Sequence, residues 1–202
     1  MRLLLIDNRD SFTYNLVESL RAGGEIQLEI CLPEEGTAKL RTHPCFDALI
    51  ISPGPGLPEE SPGLISTITE GQKKLPILGV CLGMQALLIQ AGAKLQQMDL
   101  PLHGQSSRLN LLNPEDALYR GLLSPIYVGL YHSWFLPTKD CPSDYIPTAQ
   151  DGQGKIMSVK HRHFPIWGVQ YHPESYLCPQ GDKIISNFLR EVQNFASIIP
   201  YS

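Results

Sequence analysis

The sequence has no C-x-x-C pair and few cysteines in all. The five thiols are an odd number at scattered spacings, namely Cys31, Cys45, Cys81, Cys141 and Cys178. Such a set predicts neither a disulfide framework nor a zinc site. We therefore expect reduced thiols and a cytoplasmic location.

Long apolar runs and an excess of positive charge are absent as well. No run of 18 apolar residues occurs, and the first apolar stretch ends early at Asp7, so we predict no membrane span and no signal peptide. The 16 Lys and Arg against 20 Asp and Glu give a net charge of −4. This balance argues against a protein that binds nucleic acid or anionic membranes through charge.

The chain contains no repeat, low-complexity tract or linker, and its length suits a full hydrophobic core. We therefore predict a single domain over residues 1–202. Its first half alternates predicted strands with helical patterns. Three of the strands are continuous apolar runs, Leu3–Ile6, Ala48–Ile51 and Ile77–Val80, and a fourth alternates apolar and polar residues from Ile26 to Leu32. Such alternation predicts an α/β fold with a parallel sheet and right-handed crossovers.

The second half has a different pattern, with short apolar segments and turns between residues 93 and 161. Candidate strands are 109–112, 126–130, 156–159 and 167–170, and this half is expected to include antiparallel strands. Apolar residues at helical spacing from Ile184 to Phe195 predict a C-terminal helix that packs on the sheet.

Cys81 lies in a Gly-Val-Cys-Leu-Gly segment that directly follows the apolar run Ile77–Val80. A G-x-C-x-G turn between a buried strand and a helix is the sulfur version of the nucleophile elbow. The turn would place the thiol at a helix N-terminus, where the helix dipole favours the thiolate. An isolated cysteine is more often a small buried hydrophobe, but this context favours a nucleophile.

His172 and Glu174 lie two residues apart, and in extended backbone their side chains point the same way. Glu174 would then orient the imidazole as the base that serves Cys81. The N–H of Leu82 is the natural first donor of an oxyanion hole, and the loop Gly54-Pro55-Gly56 is the candidate for the second. The residues alone thus predict a cysteine-nucleophile enzyme.

Together these segments resemble the class I (triad) glutamine amidotransferases. The resemblance covers nearly the whole chain, from residue 7 to 175, and its branch is that of the small subunits of anthranilate synthase and aminodeoxychorismate synthase. It rests on the following segments: D-N-R-D-S-F-T-Y-N from Asp7, S-P-G-P-G from Ser52, G-V-C-L-G-M-Q from Gly79, His103-Gly104, Y-H-S-W from Tyr131 and V-Q-Y-H-P-E-S from Val169.

The resemblance implies a flavodoxin-like fold and a defined reaction. Cys81 would attack the side-chain amide of L-glutamine, the N–H groups of Leu82 and Gly56 would hold the oxyanion, and His172 would transfer protons. The positions implied to hold glutamine are Gly54, Pro55, Gly56, Gln85, Ser133 and Trp134.

The resemblance also implies a partner and the place of the metal. Ammonia would pass to a chorismate-binding large subunit in a hetero-oligomer, whose reaction would need Mg²⁺, whereas this chain would need neither metal nor cofactor. Two positions depart from the branch: Met84 stands where His is usual, and Gln105 stands where Lys is usual. The pathway, tryptophan or folate synthesis, stays open.

Two other functions compete with this one. A free-standing cysteine hydrolase of the γ-glutamyl hydrolase type would share the sheet, but the N-terminal segment argues against it. A silent regulatory subunit would not need the complete set of Cys81, His172 and Glu174.

Four further side chains have simpler interpretations than metal binding. Asp7 and Asp10 are expected to cap a helix or contact a partner, and His161 and His163 to be solvated. Tyr131 and Trp134 are either core aromatics or walls of a substrate site.

Overall fold

Strands and helices alternate along the first half of the chain, as the sequence predicts. The computed structural model describes residues 1–43 and 45–198. The elements of the first half are β1 (Arg2–Ile6), α1 (Thr13–Ala22), β2 (Gln27–Cys31), α2 (Pro33–Thr42), β3 (Ala48–Ile51), α3 (Leu64–Gly71), β4 (Ile77–Val80) and α4 (Leu82–Gln90).

The second half consists mainly of strands and ends in a long helix. Its elements are β5 (Gln96–Arg108), β6 (Asn110–Leu111), β7 (Tyr127–Phe135), β8 (Tyr145–Gln150), β9 (Ile156–His161), β10 (Ile166–Val169) and α5 (Gly181–Ile198). Short 3₁₀ turns cover Pro58–Glu60, Ala117–Tyr119 and Thr138–Asp140. No helix of the described residues is long and apolar enough to cross a membrane.

One sheet joins both halves of the chain. Its strand order is β2-β1-β3-β4-β10-β9-β8-β6, with parallel pairing from β2 to β10 and antiparallel pairing from β10 to β6. This arrangement confirms the predicted α/β fold with a mostly parallel sheet and antiparallel strands in the C-terminal half. The carboxyl ends of the parallel strands form one edge, which we call the active edge, and residues 7, 54 and 81 lie at or just beyond it.

The apolar strands feed two cores, one on each face of the sheet. In β1, Leu3 and Leu5 belong to the core under α1 and α5, whereas Leu4 and Ile6 belong to the core under α2, α3 and α4. Successive side chains of a strand point to opposite faces, so a strand covered on both sides reads as a continuous apolar run. All four of these side chains have no solvent exposure.

Three elements were missed by the sequence analysis. Helix α2 has suitable ends, with Pro33 and two glutamates in its first turn, but it buries few apolar side chains. Strand β5 is mostly exposed, and β8 carries Pro147 and Thr148 in its middle, so neither shows a clear alternation of apolar and polar residues. Without a buried apolar face, periodicity gives no signal.

Strands β5 and β7 form a separate two-stranded sheet, the β5–β7 ribbon. Its register shifts between Gln97, which pairs with Trp134, and Leu102, which pairs with His132. Residues 98–101 therefore stand opposite Ser133 alone. Such a bulge bends the ribbon and leaves the Ser133 segment without regular ladder pairing.

Candidate active site

Cys81 occupies the sharp turn between β4 and α4. Its backbone has φ 52° and ψ −105°, an unusual conformation for a residue other than glycine. The turn is held on both sides, because the Cys81 N–H donates to the carbonyl of Val169 at 2.7 Å and the Cys81 carbonyl accepts from the N–H of Gln85 at 3.1 Å. The thiol is therefore presented from a strained and anchored backbone at the active edge.

The two glycines around Cys81 allow strand and helix to approach closely. A Cβ on Gly79 would lie 2.6 Å from the backbone of Gly83, and a Cβ on Gly83 would lie 2.4 Å from the carbonyl oxygen of Ile51. Any side chain at either position would push α4 off the sheet. Both glycines are thus required for the elbow by steric fit.

His172 and Glu174 form a buried pair. The imidazole Nδ1 donates to Oε1 of Glu174 at 2.8 Å, and both residues are under 9% exposed. The His172 backbone is fixed by a hydrogen bond from its N–H to the carbonyl of Gly129. The predicted orientation of the imidazole by Glu174 is therefore present in the structure.

The surroundings of His172 favour its protonated form. Burial opposes the charge, but the hydrogen-bonding and charge interactions with Cys81 and Glu174 outweigh it and raise the pKa of His172 to about 10. Because Glu174 occupies Nδ1, the interaction with Cys81 falls to Nε2, which makes no fully formed hydrogen bond with any described residue. Catalytic hydrogen bonds are often long before the substrate binds.

The glycine-containing loop after β3 packs against the elbow. A Cβ on Gly54 would lie 2.7 Å from Cβ of Asn8 and 3.2 Å from the Leu82 side chain. Asn8 in turn donates its side-chain amide to the carbonyl of Ser52 at 2.9 Å. Asn8 was not singled out as a site residue, although it lies in one of the quoted motifs. Its position shows that the ends of β1 and β3 are tied together beneath the loop.

Gly56 takes a positive φ of 70°, and a Cβ there would collide with the Glu60 carboxylate. That carboxylate is held by the N–H of Leu57 at 3.0 Å. Within the described part of the chain, neither the N–H of Gly56 nor that of Leu82 donates a hydrogen bond to a protein group. Both donors are therefore available for a ligand, and their role in an oxyanion hole stays a prediction.

Gln85 is buried and uses its amide inside the protein. Its Nε2 donates to the backbone carbonyl of Trp134 at 3.2 Å and to Oε1 of Gln170 at 3.1 Å. Nε2 of Gln170 donates to Sγ of Cys81 at 3.5 Å. The structure thus joins three predicted site residues, Gln85, Trp134 and Cys81, through one residue that the sequence analysis did not assign. Ser133 lies half-buried beside Trp134.

Aromatic rings surround the imidazole. The ring of Tyr131 lies 4.9 Å from that of His172, and Phe12 lies 4.8 Å from Tyr131 and 5.1 Å from His172. The Tyr131 hydroxyl shares a hydrogen bond with the Ser175 hydroxyl at 3.0 Å. Tyr131 therefore lies against the His172 ring, and its role as a wall of a substrate site stays a prediction. Phe12 lies in the quoted segment that begins at Asp7, but no role in the site was predicted for it.

The two positions that depart from the resembling branch lie apart from the thiol's own contacts. Met84 is fully buried in the core and packs on Gly168 of β10, where a Cβ would lie 2.5 Å from Cγ of Met84. Gln105 is exposed on β5 and lines an open cavity of about 790 Å³ beside the ribbon.

The described residues contain no cluster of three or more His, Cys, Asp or Glu that could hold a metal ion. Asp7 accepts from the Thr13 hydroxyl and the N–H of Arg9, and Asp10 accepts from the N–H of Phe12, so both order the loop before α1. The five cysteines are free.

The expectation that both His161 and His163 are solvated was wrong for His161. His163 is exposed, but His161 is 7% exposed, and its Nδ1 accepts from the backbone N–H groups of His163 and Phe164 at 3.0 and 3.1 Å. The turn after β9 folds back over this ring, which the sequence pattern could not reveal.

Known proteins resemble this chain over almost its whole length. The family model described as glutamine amidotransferase class-I matches residues 4–192. Anthranilate synthase component 2 of Haemophilus influenzae is 37% identical over 195 residues, which cover 95% of this chain and 98% of the relative. The aminodeoxychorismate/anthranilate synthase component 2 of Bacillus subtilis is 36% identical over 187 residues, which cover 93% and 95%.

Two further similarities are partial in different ways. Aminodeoxychorismate synthase of Streptomyces griseus is 37% identical over 190 residues, but the match spans only 26% of that longer protein. A Thermoplasma acidophilum protein described as part of a GMP synthase has a solved structure with a TM-score of 0.86, 23% identity and coverage of 98% of this chain and 96% of that one. At this identity the likeness concerns the fold.

Proposed function

The chain belongs to the class-I glutamine amidotransferase family, and we propose that Cys81, His172 and Glu174 hydrolyse L-glutamine to glutamate and ammonia. The observation that carries this proposal is the buried His172–Glu174 pair beside a thiol on a strained elbow. A nucleophile, a base and an acidic group that orients the base are the parts that acyl transfer requires.

The chemistry proceeds in two halves. Sγ of Cys81 attacks the side-chain amide carbon, and the N–H groups of Leu82 and Gly56 stabilise the resulting oxyanion. Collapse of this intermediate breaks the C–N bond, His172 protonates the leaving nitrogen, and a glutamyl thioester remains. His172, now neutral, takes a proton from water, which attacks the thioester and releases glutamate and the thiol.

Gly54, Pro55, Ser133 and Trp134 are proposed to hold the glutamine. The Gly54–Gly56 loop and the Ser133–Trp134 segment both pack around the elbow, the first through Leu82 and the second through Gln85. Since the Gln85 amide already bonds Trp134 and Gln170, we assign Gln85 to shaping this segment rather than to direct contact alone.

The ammonia is proposed to serve a separate chorismate-binding subunit that makes anthranilate or aminodeoxychorismate. Support comes from the relatives named component 2, which match this chain over nearly their full length. Mg²⁺ would belong to the partner's reaction, and no metal or cofactor takes part in the steps above. Free thiols at all five cysteines fit a reducing, cytoplasmic setting.

The test combines the purified chain with each chorismate-binding subunit of its own genome, together with glutamine, chorismate and Mg²⁺. Anthranilate would identify tryptophan synthesis, aminodeoxychorismate folate synthesis, and both a shared subunit. We expect Cys81→Ser to abolish glutamine-dependent product while product from free ammonia persists. Cys45→Ser, which changes an exposed thiol, is the matched control.

Two outcomes would contradict the proposal. Full glutaminase activity in Cys81→Ser would remove the nucleophile from the mechanism. Failure to form either product, with both large subunits active on ammonia, would place the chain in another branch of the family. We also predict a low glutaminase rate for the isolated chain, because the Gly56 loop is expected to settle only on the partner; equal rates with and without partner would contradict this.

A further inference from the structure

A buried line of hydrogen bonds runs from β7 to the nucleophile. It begins at the backbone carbonyl of Trp134, passes through the amides of Gln85 and Gln170, and ends at Sγ of Cys81. Gln170 has no solvent exposure and Gln85 is 3% exposed. Burial of an amide costs free energy unless its donors and acceptors are hydrogen-bonded, and the bonds of this line offset that cost.

The direction of the line is set by its first member. A carbonyl oxygen only accepts, so Gln85 must present its NH₂ group to Trp134. The same NH₂ group donates to Gln170, which must therefore present its oxygen to Gln85 and its own NH₂ to Cys81. The sulfur consequently faces an N–H donor and not a carbonyl oxygen, which would repel a thiolate.

The Trp134 carbonyl accepts a second hydrogen bond. It comes from Nδ1 of His132 at 2.9 Å. Burial, the main cause, lowers the pKa of His132 to about 4, so the ring is neutral at pH 7 and donates from Nδ1. The line therefore carries no charge of its own before it reaches the thiol.

The backbone of Gln170 is placed by strand pairing. Val169 pairs with Val80 across β10 and β4, and the Val169 carbonyl accepts the N–H of Cys81. The N–H of Gln170 donates to the carbonyl of Met157 at 2.8 Å. The side chain thus starts from a fixed point beside the elbow.

We propose that Gln170 is a positioning residue for the nucleophile: its amide N–H directs Sγ of Cys81 and stabilises the thiolate, and the link through Gln85 to Trp134 keeps that amide in the donating orientation. The inference rests on the proposed function, since it assigns Cys81 the role of nucleophile. It adds a requirement that the triad alone does not contain, namely an uncharged donor held against the sulfur.

The test measures the thiol directly and needs no glutamine. Alkylation of Cys81 by iodoacetamide is followed between pH 5 and pH 9 by mass spectrometry of the Cys81 peptide, in the wild type, Gln170→Glu and Gln170→Met. Both substitutions keep the approximate size of the side chain and remove the N–H donor. Gln193→Glu, an exposed position on α5, controls for the change of charge.

We expect the alkylation rate at pH 7 to fall about tenfold in Gln170→Met, because a hydrogen bond to a charged group is lost, and to stay unchanged in Gln193→Glu. It should fall at least as far in Gln170→Glu, because a carboxylate beside the sulfur also repels a thiolate. His172, which interacts with Cys81, and Glu174, which is hydrogen-bonded to His172, are the same in all four proteins. In the complex with the large subunit, kcat should fall about tenfold or more while KM changes little, because the bond acts on the nucleophile rather than on substrate binding.

A double-substitution test checks the link to Gln85. If Gln85 acts through Gln170, then Gln85→Met should lower alkylation, and the double variant should be no slower than Gln170→Met. Additive losses of alkylation rate in the double variant would show that Gln85 does not act through Gln170.

An alkylation profile unchanged in folded Gln170→Glu and Gln170→Met would overturn the proposal. Loss of cooperative unfolding in both variants would also overturn it, by assigning Gln170 to stability. Failure of the proposed function looks different: the wild-type complex would not hydrolyse glutamine, while the alkylation profile would still depend on Gln170.

Discussion

Two buried histidines lie at opposite edges of the same sheet and have opposite electrostatic surroundings. His172 follows β10 at the active edge, whereas His161 ends β9, which runs antiparallel to β10 and so finishes at the other edge. Nδ1 of His172 donates to the Glu174 carboxylate, but Nδ1 of His161 accepts from two backbone N–H groups.

The two pKa values move in opposite directions as a result. The pKa of His172 is raised to about 10, because interactions with Cys81 and Glu174 exceed the effect of burial. The pKa of His161 is lowered, chiefly by burial. Burial lowers the pKa of both rings, but only His172 has hydrogen-bonding and charged partners strong enough to outweigh it. The His172 ring can exchange protons, whereas the His161 ring accepts the hydrogen bonds that hold the turn after β9.

Breaking the partner of His172 should have the largest effect. Glu174→Gln keeps the shape of the side chain but removes the charge that orients the imidazole and stabilises its cation. We expect kcat for glutamine to fall about 10³-fold or more, by analogy with loss of the acidic member in other triads. The measurement is glutamate release by the complex, with ammonia-dependent activity as a check of partner docking.

The matched control for this change is Glu115→Gln, an exposed position. It should leave glutamate release unaltered. Retention of more than about a tenth of the wild-type activity in Glu174→Gln would contradict the orienting role of Glu174.

Removing the acceptor at the opposite edge should affect stability instead. His161→Phe leaves the N–H groups of His163 and Phe164 without their acceptor, which should lower the free energy of unfolding by about 1–3 kcal/mol. Glutamate release should remain near that of the wild type. Urea unfolding of His161→Phe and of the exposed control His163→Phe tests this, and equal stability of the two variants would show that the turn does not depend on the acceptor.

The two histidines should also give opposite dependences of stability on pH. His161 has a lowered pKa in the folded state, so its contribution is present above about pH 6.5 and is lost as the pH falls, since the unfolded chain then binds the proton more readily. The difference in unfolding free energy between wild type and His161→Phe should therefore shrink in acid.

His172 has a raised pKa, so its contribution is fully present below about pH 6.5 and is lost as the pH rises towards 10. The difference between wild type and His172→Gln should shrink in alkali. Urea unfolding from pH 5 to pH 10 measures both differences, and slopes of the same sign would refute the contrast.

Surface ion pairs should show the smallest effects and no difference between the edges. Arg9 pairs with Glu34 at 2.8 Å, and Arg41 pairs with Glu70 at 2.9 Å, but both arginines are more than half exposed. Arg9→Gln and Arg41→Gln should each leave the stability almost unchanged, because water and salt screen exposed ion pairs. A clear loss of stability in either variant, measured by thermal unfolding, would show that ion pairing contributes to the difference between the two edges.

Much of the fold could be predicted because the parallel strands are covered on both faces. Burial of both faces forces continuous apolar runs such as Leu3–Ile6 and Ile77–Val80, and these runs are visible in one dimension. Helix α2 and strand β5 were missed because little of their surface is apolar and buried. Their positions depend on neighbours that come from elsewhere in the chain.

The elbow around Cys81 and the pairing of His172 with Glu174 are local features, and local geometry was enough to predict them. Gly79, Gly83 and a spacing of two residues impose the turn and the shared side-chain direction by steric fit. The contacts between distant segments were not accessible in this way. The hydrogen bonds from Trp134 to Cys81 form only where β7, α4 and β10 meet. His161 is buried only because the turn after β9 folds back over its ring. Hydrogen bonds between residues far apart in the chain exist only after the sheet has brought them within about 3 Å, so tertiary structure alone decided them.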